Sequence, residues 1–149
     1  MRRVQVVFSF VSLVLATELM QSQPDPLSAI KEALAAKYNL TTTTADRTGV
    51  VSAGSVLILK KTNLVTANAK AVLPLSNAYK GGKITQGLMG HMASGTAGTR
   101  TFVAGEKLWV TDIEVKNKGI VLTLFSDSYD GLHYQTSPTF PFAKGAVPS

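Results

Sequence analysis

The sequence predicts a mainly β protein, a small SH3-like barrel or a β-roll with one N-terminal α-helix and a long Gly-rich loop. Charged residues make up only 16% of the chain, whereas helical proteins cover their wet faces with Glu, Lys and Arg. Beyond the helix, short apolar runs alternate with turn residues at about the 8–12-residue spacing of small β folds. The 149 residues, 45% of them hydrophobic, suit one packed domain. We expect that domain at residues 24–145 and a tail at 146–149.

The N-terminus has the pattern of an export signal. Two arginines precede the apolar run Val4–Leu15, which is too short to span a hydrocarbon core of about 30 Å. Val14 and Ala16 then supply small residues at the −3 and −1 positions of a cleavage site. Residues 1–16 therefore form a predicted signal peptide, with cleavage possibly as late as residue 23. An uncleaved anchor or a buried first helix is the alternative interpretation.

A single helix is expected at residues 26–38. Asp25 is a favourable N-cap, and Pro26 suits the first helical position. One apolar stripe follows at helical spacing, made of Leu27, Ile30, Leu34 and Tyr38. We expect this stripe to pack on the sheet or to close one end of a barrel.

The β-prone region begins at Thr41 with the polar stretch TTTTADRTGVV, and the short apolar strand Val56–Leu59 follows a turn at Gly54. In a second strand, the alternation of apolar residues changes phase at Thr111–Asp112, which predicts a β-bulge. The stretch Lys116–Gly119 reads as a hairpin turn. The final segment, SPTFPFAKG at residues 137–145, is expected to be an edge strand because proline cannot donate to a ladder.

A Gly-rich segment interrupts this pattern, and residues 76–100 are expected to form a long loop. Residues 81–98 contain six glycines and no acidic residue. A P-loop would require Ser or Thr directly after the lysine, but Ile84 follows Lys83. A loop of this length in a small domain is either functional or disordered. Met89 and Met92, with Leu88, give it a small apolar face for a partner.

Composition excludes several classes of site. The chain has no cysteine, so disulfides, thiolate zinc sites and cysteine nucleophiles are excluded. The net charge of +6 is spread along the chain, without the dense basic stripe and interleaved aromatics of a nucleic-acid reader. The pair Asp127 and Asp130 lies in a Ser/Asp/Gly stretch typical of turns. We therefore expect no cofactor, no metal and no specific nucleic-acid partner.

Three separated blocks of the chain carry a resemblance. They are LTTTTADRTGVVSAGSVLILKK, TFVAGEKLWVTDIEV and GIVLTLFSDSYDGLHYQTSPTFPF, and together they cover most of residues 38–145. In this order they resemble a family of small exported bacterial proteins of unknown function. The resemblance implies an exported β-rich domain with an N-terminal helix, and it supplies no catalytic residues. The stretch VAGEKLWV before a hairpin also resembles the start of a strand in SH3-like barrels, at fold level only.

Five residues are candidates for ligand binding: Trp109, Tyr129, Tyr134, Met89 and Met92. The single tryptophan could stack on a sugar ring or a peptide, although burial in the core is the commoner role of such a residue. The two tyrosines, with nearby phenylalanines, could form an aromatic groove for an extended ligand. No catalytic residue and no metal ligand is assigned.

The sequence therefore favours an exported, non-enzymatic binding or structural module of the cell envelope, in the periplasm or outside the cell. Its partner would be an envelope protein or polymer, and its oligomeric state is left open. The membrane is involved only through the signal peptide before cleavage. The alternative is a small secreted hydrolase with a dispersed site around His91, His133 and Asp127.

Overall fold

The chain folds into a curled, mainly antiparallel sheet with a helix packed beside it. The structure is a computed structural model that describes residues 25–71, 75–93 and 98–143. Its elements are α1 (Pro26–Lys37), β1 (Thr42–Thr43), β2 (Val50–Ser52), β3 (Val56–Ile58), β4 (Leu64–Asn68), β5 (Leu75–Lys80), β6 (Lys83–Gln86), α2 (Leu88–Ala93), β7 (Thr99–Phe102), β8 (Lys107–Lys116), β9 (Gly119–Ser126) and β10 (Tyr134–Pro141). The predicted signal peptide and the tail lie outside the described residues. Among the residues described, no helix is long and apolar enough to cross a membrane.

Eight of the strands in the described ranges form one sheet, and β1 and β2 pair separately. The order along the large sheet is β3-β8-β9-β10-β4-β7. The sheet forks at β10, because Tyr134 and Gln135 pair with β4 whereas the following residues pair in parallel with β5, which in turn pairs with β6. The sheet curls strongly into a half-barrel. The prediction of a mainly β roll or small barrel with one N-terminal helix is confirmed.

The core lies on the concave side of the half-barrel. Its buried members come from five strands and are Leu64, Phe102, Leu108, Val110, Leu124 and Tyr134. Each is at most 7% exposed, and burial of a large apolar side chain contributes about 1.5–3 kcal/mol. This core holds the walls of the half-barrel in place.

Helix α1 begins as the sequence predicts. The Asp25 side chain accepts a hydrogen bond from the Leu27 N–H at 3.3 Å, and Pro26 occupies the first turn. The helix ends at Lys37, and Tyr38 is its C-cap. It contacts β8, yet none of its residues is buried. The apolar stripe is therefore only half covered, and α1 is a lightly packed element.

The bulge and the hairpin are also confirmed. The register between β8 and β9 shifts between Val110 and Asp112. The two strands are joined by the turn at Lys116–Gly119. A side chain at Gly119 would collide with the carbonyl oxygen of Phe140, so this turn requires glycine for reasons of space.

The prediction of a continuous loop at 76–100 is wrong for the part that the structure describes. That segment forms the β5–β6 hairpin and helix α2, while residues 94–97 lie outside the described residues. Gly81 and Gly82 have φ values of 57° and 76° and form the two-residue turn between the strands. Such a turn requires positive φ at both positions. These glycines therefore mark a tight hairpin, which composition alone did not distinguish from a loop.

The prediction that the last strand lies at an edge is also wrong. Strand β10 is central and pairs with β9 on one side and with β4 and β5 on the other. The ladder to β9 has pairs at Thr136 and Thr139 but none at Ser137 or Pro138. Pro138, which has no N–H to donate, thus lies at a local gap in the β9–β10 ladder. The strand can therefore be central although it contains a proline.

Candidate ligand-binding site

An apolar cavity of about 250 Å³ opens in the concave face of the half-barrel. Its wall comes from β3, β4, β5, β6, β8, β9 and β10, together with the segment after β3. The apolar side chains that the argument uses are Leu57, Leu59, Tyr79, Ile84, Leu124 and Phe140. Pockets for small ligands are concave, mostly apolar and of about 300–1,000 Å³. The cavity lies just below this range, which suits an apolar side chain or a short acyl segment.

Two edges of the half-barrel position this wall. On β3, Leu57 faces inward, and Leu59 follows it at the two-residue spacing of a strand. On the other side, the β5–β6 pairing sets Tyr79 opposite Ile84. The Tyr79 ring is 5.8 Å from the ring of Phe140, centre to centre. The hairpin that sequence analysis treated as a loop thus forms one wall of the cavity.

The charge at the cavity is positive. Lys60 and Lys61 line it, and no acidic residue does so in the described part of the chain. Lys107 lies opposite Ile58 in the β3–β8 ladder. None of these three lysines forms an ion pair with any described residue. The site therefore combines an apolar floor with a basic border.

The structure separates the aromatic residues that the sequence suggested for ligand binding. Tyr134 is 7% exposed and belongs to the core, where its ring meets Phe102 edge to face at 6.2 Å. Trp109 is half-buried and stacks on Phe125. Tyr129 is 50% exposed. Phe140 faces the cavity, so Tyr129, Tyr134 and the phenylalanines do not form one groove, and the buried Tyr134 is not among the residues that line the cavity.

The two methionines of the predicted site lie on helix α2. Met92 is 70% exposed, and its neighbour Leu88 is 77% exposed. The side chain of Met89 lies outside what the structure describes. The helix contacts β5 and β6, so its exposed apolar residues belong to a helix packed on the hairpin and do not project from a free loop.

The residues of the hydrolase alternative have the following surroundings. The Nδ1 atom of His133 is 3.0 Å from the carbonyl oxygen of Ser126, and its ring stacks on Phe125 at 4.9 Å. Asp127 accepts a hydrogen bond from the Ser128 N–H at 2.8 Å. His91 lies on α2. Within the described ranges, no group of three His, Asp or Glu residues is arranged to hold a metal.

Two other concave regions are less suited to binding an apolar ligand. A groove of about 690 Å³ lies between α1 and β8, and its wall mixes Lys31 and Lys116 with Asp112 and Glu114. A polar hollow of about 300 Å³ lies beside Arg100. The groove between α1 and β8 carries charges of both signs. In the polar hollow, Arg100 already forms an ion pair with Glu106. The smaller apolar cavity is therefore the candidate site.

The cavity was missed because its two sides are far apart in sequence. The alternation of Leu57 and Leu59 was visible, and so was the pair Gly81–Gly82 between polar residues and short strand-like runs. That pair is a recognised indicator of a hairpin. Joining the two sides, however, required the parallel β10–β5 pairing, which no local pattern predicts. Comparison with family models, with curated proteins and with solved structures gave no match to this chain.

Proposed function

We propose that this protein is an exported, non-enzymatic binding module of the cell envelope, and that the half-barrel cavity holds an apolar group of its ligand. The observation that carries the proposal is the cavity of about 250 Å³ with its leucine, isoleucine and aromatic wall. An apolar concavity with few polar groups is the common form of a ligand site. The lysines at its border favour a ligand that also carries negative charge.

The export part of the proposal is supported by the sequence of the first 16 residues. The arginines, the apolar run and the small residues ending at Ala16 match the three regions of a secretory signal. N-terminal sequencing of the protein recovered from outside the cytoplasm tests this. A product that begins at Thr17 or Pro24 supports export with cleavage, whereas retention of the intact chain in the cytoplasm contradicts it.

The binding part can be tested with an anionic apolar dye, anilinonaphthalene sulfonate, titrated into the purified protein. We expect saturable binding with increased dye fluorescence. The variant Ile84→Trp places a larger side chain in the cavity and should weaken binding about tenfold, which corresponds to about 1.4 kcal/mol. Dye binding also reports partly unfolded protein, so each variant must first show a cooperative thermal transition.

The matched control is Thr85→Trp. Thr85 is the next residue on β6, is exposed, and points to the opposite face of the strand. Thr85→Trp introduces the same large side chain as Ile84→Trp, but outside the cavity. Equal dye affinity of the two tryptophan variants, or the absence of saturable binding to the wild type, would contradict the proposal that the cavity is the site.

A further inference from the structure

The strand β3 borders the cavity and has one unpaired side. It pairs with β8 and, among the described residues, with no other strand. Ser55 and Leu59 direct their backbone groups toward β8, since the Val110 N–H donates to Ser55 and the Leu59 N–H donates to Glu106. Backbone direction alternates along an antiparallel strand, so Val56 and Ile58 direct their N–H and C=O groups away from β8. This edge therefore offers two donors and two acceptors.

The side chains of this edge are apolar and exposed. Val56 is 48% exposed and Ile58 is 50% exposed, and Leu57 between them lines the cavity together with Ile58. Proteins normally protect such an edge with charge, proline or a covering element, because it is a template for another strand. Here the charges come only after the strand, at Lys60 and Lys61. The edge is thus short and open, and it lies directly beside an apolar cavity.

A second open edge borders the same cavity. Lys80 and Lys83 close the two-residue turn of the β5–β6 hairpin, so they form a hydrogen-bonded pair and Ile84 directs its backbone groups away from β5. Among the described residues, β6 pairs only with β5. Since Ile84 and Leu57 both line the cavity, the cavity lies between two strand edges. The half-barrel has the form of a barrel that lacks a strand.

From these contacts we infer that the cavity binds an extended peptide segment of a partner by strand addition to β3. This inference rests on the proposed function and names the chemistry of its ligand. The added strand pairs with the backbone of Val56 and Ile58, and every second side chain shares the face of Leu57 and enters the cavity. An acyl chain would fill the cavity as well, but it would leave the backbone groups of the edge unpaired.

The charges specify the flanks of this peptide. Lys60 and Lys61 come just after β3, beyond Leu59, and Lys107 lies opposite Ile58. These lysines form no ion pair with any described residue. A segment with alternating apolar residues and acidic flanks therefore matches both the cavity and its border, whereas basic flanks would be repelled.

The variant Ile58→Pro tests the edge without breaking the sheet. Proline removes the N–H of residue 58, which points away from β8, so the β3–β8 ladder keeps its hydrogen bonds. The matched control is Ile58→Thr, which keeps the N–H and a β-branched side chain. Both variants must show a cooperative thermal transition close to that of the wild type.

The experiment is selection from a random-peptide display library on the purified protein, followed by affinity measurements on the enriched peptides. We expect apolar residues at alternating positions with acidic flanks. Binding should be about tenfold weaker for Ile58→Pro than for Ile58→Thr, a difference of about 1.4 kcal/mol, because only the proline variant lacks the N–H of residue 58. The absence of enriched peptides, or peptides bound equally well by Ile58→Pro, would overturn strand addition.

A parallel titration with dodecanoate separates this inference from the proposed function. If dodecanoate binds, is weakened by Ile84→Trp and is bound equally by Ile58→Pro and Ile58→Thr, and no peptide is enriched, the cavity is a site for an acyl chain and only the strand addition is wrong. If neither peptides nor dodecanoate bind, both the inference and the proposed binding role of the cavity are wrong.

Discussion

The guanidinium carbon of Arg100 lies 3.9 Å from the centre of the Tyr129 ring. Its other contacts are the Phe102 ring, at 4.4 Å from the same carbon, and Glu106, whose Oε2 atom is 2.8 Å from Nη2. Glu106 also accepts a hydrogen bond from the Val103 N–H at 3.0 Å. Arg100 thus joins strand β7, the turn before β8 and the loop that carries Tyr129.

The substitution Arg100→Lys should destabilise the protein by about 1 kcal/mol, because lysine cannot keep two ring contacts and an ion pair at once. Urea unfolding measures the change. The matched control is Lys116→Arg at the more exposed pair with Glu114, where we expect a change within about 0.5 kcal/mol. Equal effects at the two positions would show that the ring contacts of Arg100 add no stability.

The substitution Asn77→Ala should cost about 2–4 kcal/mol, because it leaves buried backbone groups without partners. Asn77 is 2% exposed, accepts a hydrogen bond from the Val65 N–H at 3.2 Å, and donates to the Val65 carbonyl oxygen at 2.7 Å. Thermal or urea unfolding provides the measurement. Asn68→Ala removes only a local bond to the Lys70 N–H and should cost about 1 kcal/mol or less.

The substitution Gly54→Ala should destabilise the protein by more than about 2 kcal/mol, because a side chain there would collide with the backbone of Asn39 and Leu40. This close approach brings the chain after α1 against the turn before β3. The control is Gly49→Ala, whose nearest neighbouring atom would be 3.8 Å from the added carbon, and we expect it to be nearly neutral. Comparable melting temperatures for the two variants would contradict the close packing at Gly54.

Asp46 should titrate below the usual range of an aspartate. Hydrogen bonding by the side chain of Thr44, and then by the hydroxyl of Thr48, lowers the pKa of Asp46. Because the folded pKa lies below the unfolded one, the stabilisation is present above the unfolded pKa and is lost as the pH falls through the folded value. Carboxyl NMR titration measures the midpoint. Thr48→Ala should raise it, whereas Thr42→Ala in β1 should leave it unchanged.

The sequence predicted the elements whose cause is local. The cap at Asp25, the phase change at Thr111–Asp112 and the turn at Lys116–Gly119 are each set by a few neighbouring residues. The centrality of β10 could not be predicted in this way. Its partners on both sides are chosen by pairings distant in sequence, and its prolines pointed locally to an edge.

The candidate site could not be predicted from local sequence patterns either. Trp109, Tyr129 and Tyr134 were selected because aromatic residues often bind ligands, yet their burial depends on which face of the curled sheet each one occupies. Tyr134 lies in the core and Tyr129 lies on the surface, although they are only five positions apart in the sequence. The cavity is formed by residues with ordinary core chemistry, so no residue type marked it in advance.

The fork at β10 has a consequence for the order in which the protein can be assembled. The β4–β7 pair and the β5–β6 hairpin both come before β8 and β9 in the chain, but it is the final strand that links them to the β8–β9 hairpin. Pairings between distant segments are slow to form. The half-barrel therefore closes only when its last strand is available, and a chain shortened before Tyr134 would lack the strand that connects the β4–β7 and β5–β6 pairs to the β8–β9 hairpin.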